Sequence, residues 1–189
     1  MTNVWGILLL LAAVLGRGRG ALNSTWWTCS PVIPHHDIQV QQVLGEWYLV
    51  EGMSMLEDSV PHSNICVRIK FEQRTSDPGL VMVAMEKHLG GPATYQNNTV
   101  NLIDPAGQQG LWELPDIGVV TTVVYLQRDV LVLTHCYRSL NYLWTGVFTR
   151  SGHISSGELR AINEALESVG VPEVAGEHLR DPAVCTAEE

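Results

Sequence analysis

From residue 44 onward, short apolar runs alternate with clusters of turn-forming residues for about a hundred residues. The runs are rich in Val, Leu, Thr, Tyr and Trp, which favour strands. They predict eight strands, near 46–55, 65–73, 80–88, 94–103, 110–114, 118–127, 130–137 and 142–150. Turn residues separate them, as in Ser76–Gly79, Gly90–Pro92 and Asp104–Gly107. Strands joined in this way can close into an antiparallel up-and-down β-barrel, which removes exposed sheet edges.

The hydrophobic period changes after the last predicted strand. Between residues 155 and 170, apolar side chains recur at helical spacing, at Leu159, Ile162, Ala165, Leu166 and Val169. Ser155 or Ser156 can cap the start of this helix, and Gly170 can end it. The pattern therefore predicts an all-β fold, an eight-stranded barrel with one C-terminal α-helix packed against its outside.

The first 20 residues are typical of a secretory signal peptide. Their apolar run, Val4–Leu15, is shorter than the roughly 20 residues that a bilayer-spanning helix needs. We therefore expect residues 1–20 to be cleaved and residues 21–189 to form one secreted domain that does not span a membrane. Removal of Arg17 and Arg19 changes the formal charge from −9 to −11. So acidic a chain is not expected to bind nucleic acid.

Cysteines and glycosylation sequons fit a secreted protein. An even number of cysteines in an oxidising compartment predicts disulfides without deciding the pairing. The four cysteines are Cys29, Cys66, Cys136 and Cys185. They lack Cys-x-x-Cys spacing, and the sequence predicts neither a metal site nor a cofactor. The triplets that start at Asn97 and Asn23 predict N-glycosylation at both residues.

The stretch Leu44–Tyr48, with the sequence LGEWY, resembles the Gly-x-Trp signature at the first strand of lipocalins. A short turn at Gln127–Asp129 and an arginine at the end of the last strand, Arg150, strengthen this resemblance. The cysteine spacing resembles apolipoprotein D and the insect and crustacean bilin- and carotenoid-binding lipocalins. One departure is Tyr125–Val130, which stands where many lipocalins have a Thr-Asp-Tyr block.

The resemblance implies roles for several residues. It implies the disulfides Cys29–Cys136 and Cys66–Cys185. It also implies that Gly45, Trp47 and Arg150 close one end of the barrel, with the guanidinium of Arg150 lying across the indole of Trp47. A closed eight-stranded barrel has room for one small ligand.

Because side chains alternate between the two faces of a strand, one half of each strand should line this interior. The alternation, together with the resemblance for the third strand, predicts a mostly apolar ligand pocket. Its predicted residues are Leu49, Met53, Ile69, Phe71, Met82, Ala84, Glu86, Asn98, Val100, Leu133, His135, Tyr142, Trp144 and Phe148. The same alternation predicts that Glu51, on the first strand, faces the barrel interior.

The sequence therefore predicts a secreted carrier that transports a small hydrophobic molecule, such as a lipid, retinoid, sterol or pigment, and is not an enzyme. One alternative is a lipocalin that acts on a protein partner, as a signal or an inhibitor, through loops such as Leu56–Asn64 and Gly90–Thr94. Another is a thiol-dependent isomerase that uses a free Cys66. A cell-surface receptor is a further expected partner, and we expect a monomer or a weak dimer.

Overall fold

The structure is a computed structural model that describes most of the chain from residue 37 onward. The described residues are 29, 32, 34–35, 37–54, 65–75, 79–103, 110–140, 142–171, 175–177, 179–180 and 185. The predicted signal peptide, the sequon at Asn23 and the loop Leu56–Asn64 lie outside these residues.

Eight antiparallel strands form a closed barrel in chain order, as the sequence predicted. The strands are β1 Gly45–Ser54, β2 Ile65–Gln73, β3 Leu80–His88, β4 Ala93–Leu102, β5 Leu111–Leu114, β6 Val119–Gln127, β7 Val130–Tyr137 and β8 Tyr142–Thr149. A short helix, α1 (Val40–Val43), leads into β1, and a 3₁₀ helix (Pro115–Ile117) joins β5 to β6. Pairing of β8 with β1 closes the sheet on itself.

The predicted C-terminal helix is α2 (Ser156–Ser168). Ser155 caps it, because its hydroxyl accepts from the Glu158 amide while the Glu158 carboxylate accepts from the Ser155 amide. Ile162 and Leu166 are fully buried against Val147 and other outward-facing strand residues, which we call the outer cluster. No helix in the described part of the chain is long and apolar enough to cross a membrane.

The barrel interior holds a second apolar group, which we call the inner cluster. It includes Trp47, Phe71, Leu131 and Phe148, each at most 2% exposed. Inner and outer clusters lie on opposite faces of the same strands, because successive strand residues point to opposite sides. The barrel wall is therefore buried on both faces where α2 covers it.

A β-bulge interrupts this alternation in β1. The register with β8 runs from Leu49 opposite Phe148 directly to Glu51 opposite Val147, which leaves Val50 as an extra residue. After one extra residue, every following side chain of the strand points to the opposite face of the sheet from the one that unbroken alternation predicts. Glu51, predicted to face the interior, instead lies outside, where its carboxylate accepts a hydrogen bond from the Gly176 amide at 2.6 Å.

The same bulge changes the position of Met53. This residue was predicted to line the pocket, but it packs in the outer cluster with Val50. Its neighbour Gly52 takes the inward-facing position, beside the indole of Trp144. The prediction failed because it assumed unbroken alternation from Trp47 to Met53.

All four cysteines form disulfides, Cys29 with Cys136 and Cys66 with Cys185. The first bond ties the N-terminal segment to β7. The second ties the C-terminal tail to β2. No free thiol remains for the isomerase alternative, which needed Cys66 in its reduced form.

The C-terminal tail also fills a gap between β1 and β2. These strands pair only as far as Tyr48 opposite Arg68. Beyond that point, the Arg180 amide donates to the Val50 carbonyl at 2.8 Å, and the Arg180 guanidinium donates to the Ile65 carbonyl at 3.0 Å. We call this part of the wall, bridged by Arg180, the β1–β2 seam.

Candidate functional site

Trp47 and Arg150 contact each other at one end of the barrel. The indole is fully buried, and its Nε1 donates to the Val43 carbonyl at 2.8 Å. The Arg150 guanidinium lies 3.5 Å from the indole ring centroid, within the range of a cation–π contact. It also donates to the carbonyls of Glu46 and Gln42, at 2.8 and 3.1 Å. This network joins α1, β1 and the end of β8, so its role is structural.

Gly45 is required at this end by both space and backbone conformation. Its φ of +91° lies in a region that other residues rarely adopt. A Cβ atom there would also lie 3.2 Å from a guanidinium nitrogen of Arg150. Gly45 thus permits the close approach of Arg150 to the start of β1.

The burial of inward-facing side chains decreases toward the opposite end. Phe71 and Leu80 are almost fully buried, whereas Ala84 and Trp144 are half-buried and Glu86 is exposed. Leu80, Ala84 and Glu86 lie on the same face of β3, so exposure rises along a single strand. Exposure of the inward-facing side chains therefore rises with distance from the Trp47 end of the barrel.

Most of the predicted pocket residues share this interior. Seven belong to the inner cluster, namely Leu49, Ile69, Phe71, Met82, Val100, Leu133 and Phe148. Ala84 and Trp144 pack against that cluster from half-buried positions. Tyr142 lies next to the Tyr137 ring, with the centroids 5.7 Å apart. Glu86 lies at the exposed rim, and Met53 is outside the barrel.

Two glycines, Gly52 and Gly146, leave space for the Trp144 indole to lie against the barrel wall. A Cβ atom at Gly146 would lie 2.6 Å from the indole, and one at Gly52 would lie 3.2 Å from it. The His135 ring stacks on the Trp144 indole, with ring centroids 5.1 Å apart and ring planes 30° apart. The indole therefore lies along the wall. Both glycines were missed from the sequence, although glycine inside a strand often marks a close approach.

His135 is buried and uncharged. Its Nδ1 lies 2.8 Å from the hydroxyl of Thr121, an inward-facing residue that the sequence reasoning missed. Burial lowers the pKa of His135 to about 4, so the imidazole is neutral at physiological pH. No described residue forms a hydrogen bond with its other ring nitrogen, Nε2.

Asn98 is a further buried polar residue of the interior. It is 2% exposed and shares its face of β4 with Val100 of the inner cluster. Its side-chain oxygen is buried without a hydrogen-bond partner among the described residues. Buried amide oxygens normally have partners, so this atom marks a position where a polar group of another molecule would be favourable.

Charged groups are confined to the rim of this interior. Among the inward-facing strand residues that the structure describes, only Glu86 and His88 have side chains that are both ionisable and exposed. The Oε1 atom of Glu86 lies 3.0 Å from the Nε2 atom of His88. Within the described ranges, no group of three His, Cys, Asp or Glu side chains is placed to hold a metal ion.

Lowering the pH from 7.5 to 4.5 should reduce the free energy of unfolding through His135 by roughly 2–3 kcal/mol. The pKa of His135 is about 4 in the folded chain and 6.5 ordinarily. Between these values the unfolded chain binds a proton that the folded chain does not, so stability falls as pH falls. Urea unfolding at both pH values would measure this loss. A His135→Gln variant, which cannot titrate, should lose correspondingly less; an identical pH dependence would contradict the prediction.

Known structures with this architecture were found at low sequence identity. The barrel is similar to the cockroach major allergen Per a 4, with a TM-score of 0.68 and 10% identity, covering 85% of this chain and 99% of that one. It is similar to the amine binding protein of Rhodnius prolixus in its tryptamine complex, with a TM-score of 0.64 and 14% identity, covering 84% and 88%. It is also similar to the siderocalin Ex-FABP, with a TM-score of 0.55 and 13% identity, covering 71% and 97%.

These three proteins are lipocalins, and the likeness establishes that the chain has the lipocalin fold. No protein-family model and no curated protein sequence matches the chain. The assignment therefore rests on architecture: the closed eight-stranded barrel and the helix on its outside.

Proposed function

We propose that the chain is a secreted lipocalin that carries a small hydrophobic molecule inside its barrel and does not catalyse a reaction. The observation that carries this proposal is the graded burial of the interior. Apolar side chains are packed tightly around Trp47, whereas Trp144 and Ala84, farther from that end, are partly exposed. An apolar ligand that enters there would gain about 25 cal/mol for each Å² of apolar surface removed from water.

Other features support the secreted part of the proposal. Both disulfides would be stable in an oxidising compartment. Asn97 is exposed on the outer face of β4, where a glycan would find room. We also propose cleavage of residues 1–20, a glycan at Asn23 and closest kinship with the apolipoprotein D and bilin-binding group. The proposed protein is a monomer or weak dimer that a cell-surface receptor recognises.

Two of the similar structures belong to proteins that are described by their ligands. One was solved with tryptamine bound, and another is described as acting through dual ligand specificities. We infer for this chain only that a molecule small enough for an eight-stranded barrel is carried.

Native mass spectrometry of the secreted, deglycosylated protein tests the proposal. A carrier should retain an additional small mass that is lost on denaturation, and organic extraction would identify it. A bare chain that also fails to bind retinoids, fatty acids, sterols and bilins would overturn the carrier function.

A second candidate is action on a protein partner through the rim. Leu89 and Tyr95, which flank the Gly90–Thr94 loop, are 60% and 67% exposed. Large exposed apolar side chains are common at protein contacts. Replacing both with aspartate should abolish binding of the labelled protein to receptor-bearing cells while leaving small-ligand affinity unchanged. Unaltered cell binding would remove this candidate.

A further inference from the structure

Few of the buried inward-facing residues that the structure describes are polar, and none of these is charged. Asn98 offers an amide whose buried oxygen has no partner among the described residues. His135 offers a ring nitrogen, because its other nitrogen is already occupied by Thr121. Both side chains come from predicted pocket positions, and both are at least nine-tenths buried.

An amide and a neutral imidazole impose a particular chemistry. The Asn98 amide accepts at its oxygen and donates at its nitrogen, and rotation of the amide exchanges the two. The neutral His135 ring either accepts or donates at Nε2, depending on which nitrogen carries the proton. A hydroxyl group both accepts and donates, so it can pair with any of these arrangements.

Burial of a charged ligand head among these inward-facing side chains would be unfavourable. Glu51, the carboxylate that the sequence placed inside, lies outside the barrel and is bound to Gly176. The described strands present neither a lysine nor an arginine to the interior, since Arg68 and Lys70 alternate with the inward-facing Ile69 and Phe71. Burying a carboxylate or an ammonium without an opposite charge is costly.

We propose that the barrel selects uncharged apolar ligands that carry a hydroxyl group, and that Asn98 is the residue that binds this group. The proposal rests on the carrier function and names the ligand class for it. The opposite orientation, with a charged head at the rim beside Glu86 and His88, is the main competing arrangement.

Displacement of an uncharged fluorescent probe, phenylnaphthylamine, tests this ligand class. The competitors are dodecanol, dodecanoate, dodecylamine and tridecane, which have nearly the same overall length and differ in the head group. With wild-type protein, dodecanol should bind at least tenfold more tightly than the acid or the amine. It should bind about fivefold more tightly than the alkane, as expected for one net hydrogen bond.

Asn98→Leu tests the assigned residue, with Asn97→Leu as its matched control. Asn97 is the adjacent residue and faces solvent, so the same substitution there should leave every affinity unchanged. The protein should be produced in an oxidising bacterial compartment, so that no glycan is present. Asn98→Leu should abolish the preference for dodecanol over tridecane while the probe still binds.

Asn98→Asp provides a second test that depends on gained function. A carboxylate at this position should raise the affinity for dodecylamine relative to dodecanol by at least tenfold. Near-ultraviolet circular dichroism would verify that each variant is folded. The wild-type comparison of the four competitors tests the ligand class even without folded variants.

The outcomes separate the two proposals. If the probe and all four competitors bind with equal affinity, the carrier function stands and the hydroxyl preference is overturned. Tightest binding of the amine or the acid, lost in Glu86→Gln or His88→Gln, would overturn it in favour of the rim arrangement. A wild-type protein that binds neither probe nor competitor would overturn the carrier function itself.

Discussion

Replacing Trp47 with alanine should lower the free energy of unfolding by about 3–5 kcal/mol, as large-to-small changes of buried aromatic residues do. Trp47 is fully buried in the inner cluster. Its loss would leave a cavity, free the Val43 carbonyl and remove the ring on which Arg150 lies. Chemical unfolding followed by circular dichroism at neutral pH would measure the change.

Two further variants separate the contributions at this end of the barrel. Trp47→Phe keeps an aromatic ring but loses the Nε1 hydrogen bond, so its cost should be smaller, about 1–2 kcal/mol. Trp144→Ala is the matched tryptophan control, and it should destabilise the fold less because Trp144 is only half-buried. If Trp47→Ala cost no more than Trp144→Ala, closure by Trp47 would not be important for stability.

Removing the disulfide of Cys66 and Cys185, with alanine at both positions, should lower the free energy of unfolding by about 4 kcal/mol. The two cysteines are 119 residues apart, so the bond greatly restricts the unfolded chain. It also holds the tail whose Arg180 bridges the β1–β2 seam. Urea unfolding of the double variant would measure the loss.

The other disulfide is a nearly ideal control. Cys29 and Cys136 are 107 residues apart, so chain entropy alone predicts a loss that differs by only about 0.1 kcal/mol. If removal of the Cys66–Cys185 disulfide lowers the free energy of unfolding more than removal of the other disulfide, and if it also speeds amide exchange in β1 and β2, then this disulfide stabilises the seam by anchoring the tail. Equal losses and unchanged exchange would contradict that role.

The strands and the outer helix could be predicted from the sequence almost to the residue. Predicted strands 65–73, 80–88 and 130–137 coincide with β2, β3 and β7. Alternating apolar residues and explicit turn segments are local signals, and the helical period of 155–170 is another. Such signals are strong here because nearly every strand has one buried face.

The interior could be predicted only in part, because its details depend on the pairing of distant strands. The bulge at Val50 leaves no mark in the sequence, since GEWYLVEGMS alternates acceptably in either register. Glu51 and Met53 were consequently assigned to the wrong face. The pairing of Thr121 with His135, and the space that Gly146 gives Trp144, also depend on register.

The β1–β2 seam has a consequence for how the protein is made. The barrel wall beside Val50 and Ile65 is completed by Arg180, near the end of the chain. During synthesis, all eight strands have left the ribosome before that residue does. Until the tail arrives, β1 and β2 each present unpaired backbone groups, the kind of edge that promotes association between chains. The segment that carries Arg180 therefore also protects this part of the barrel wall against association between chains.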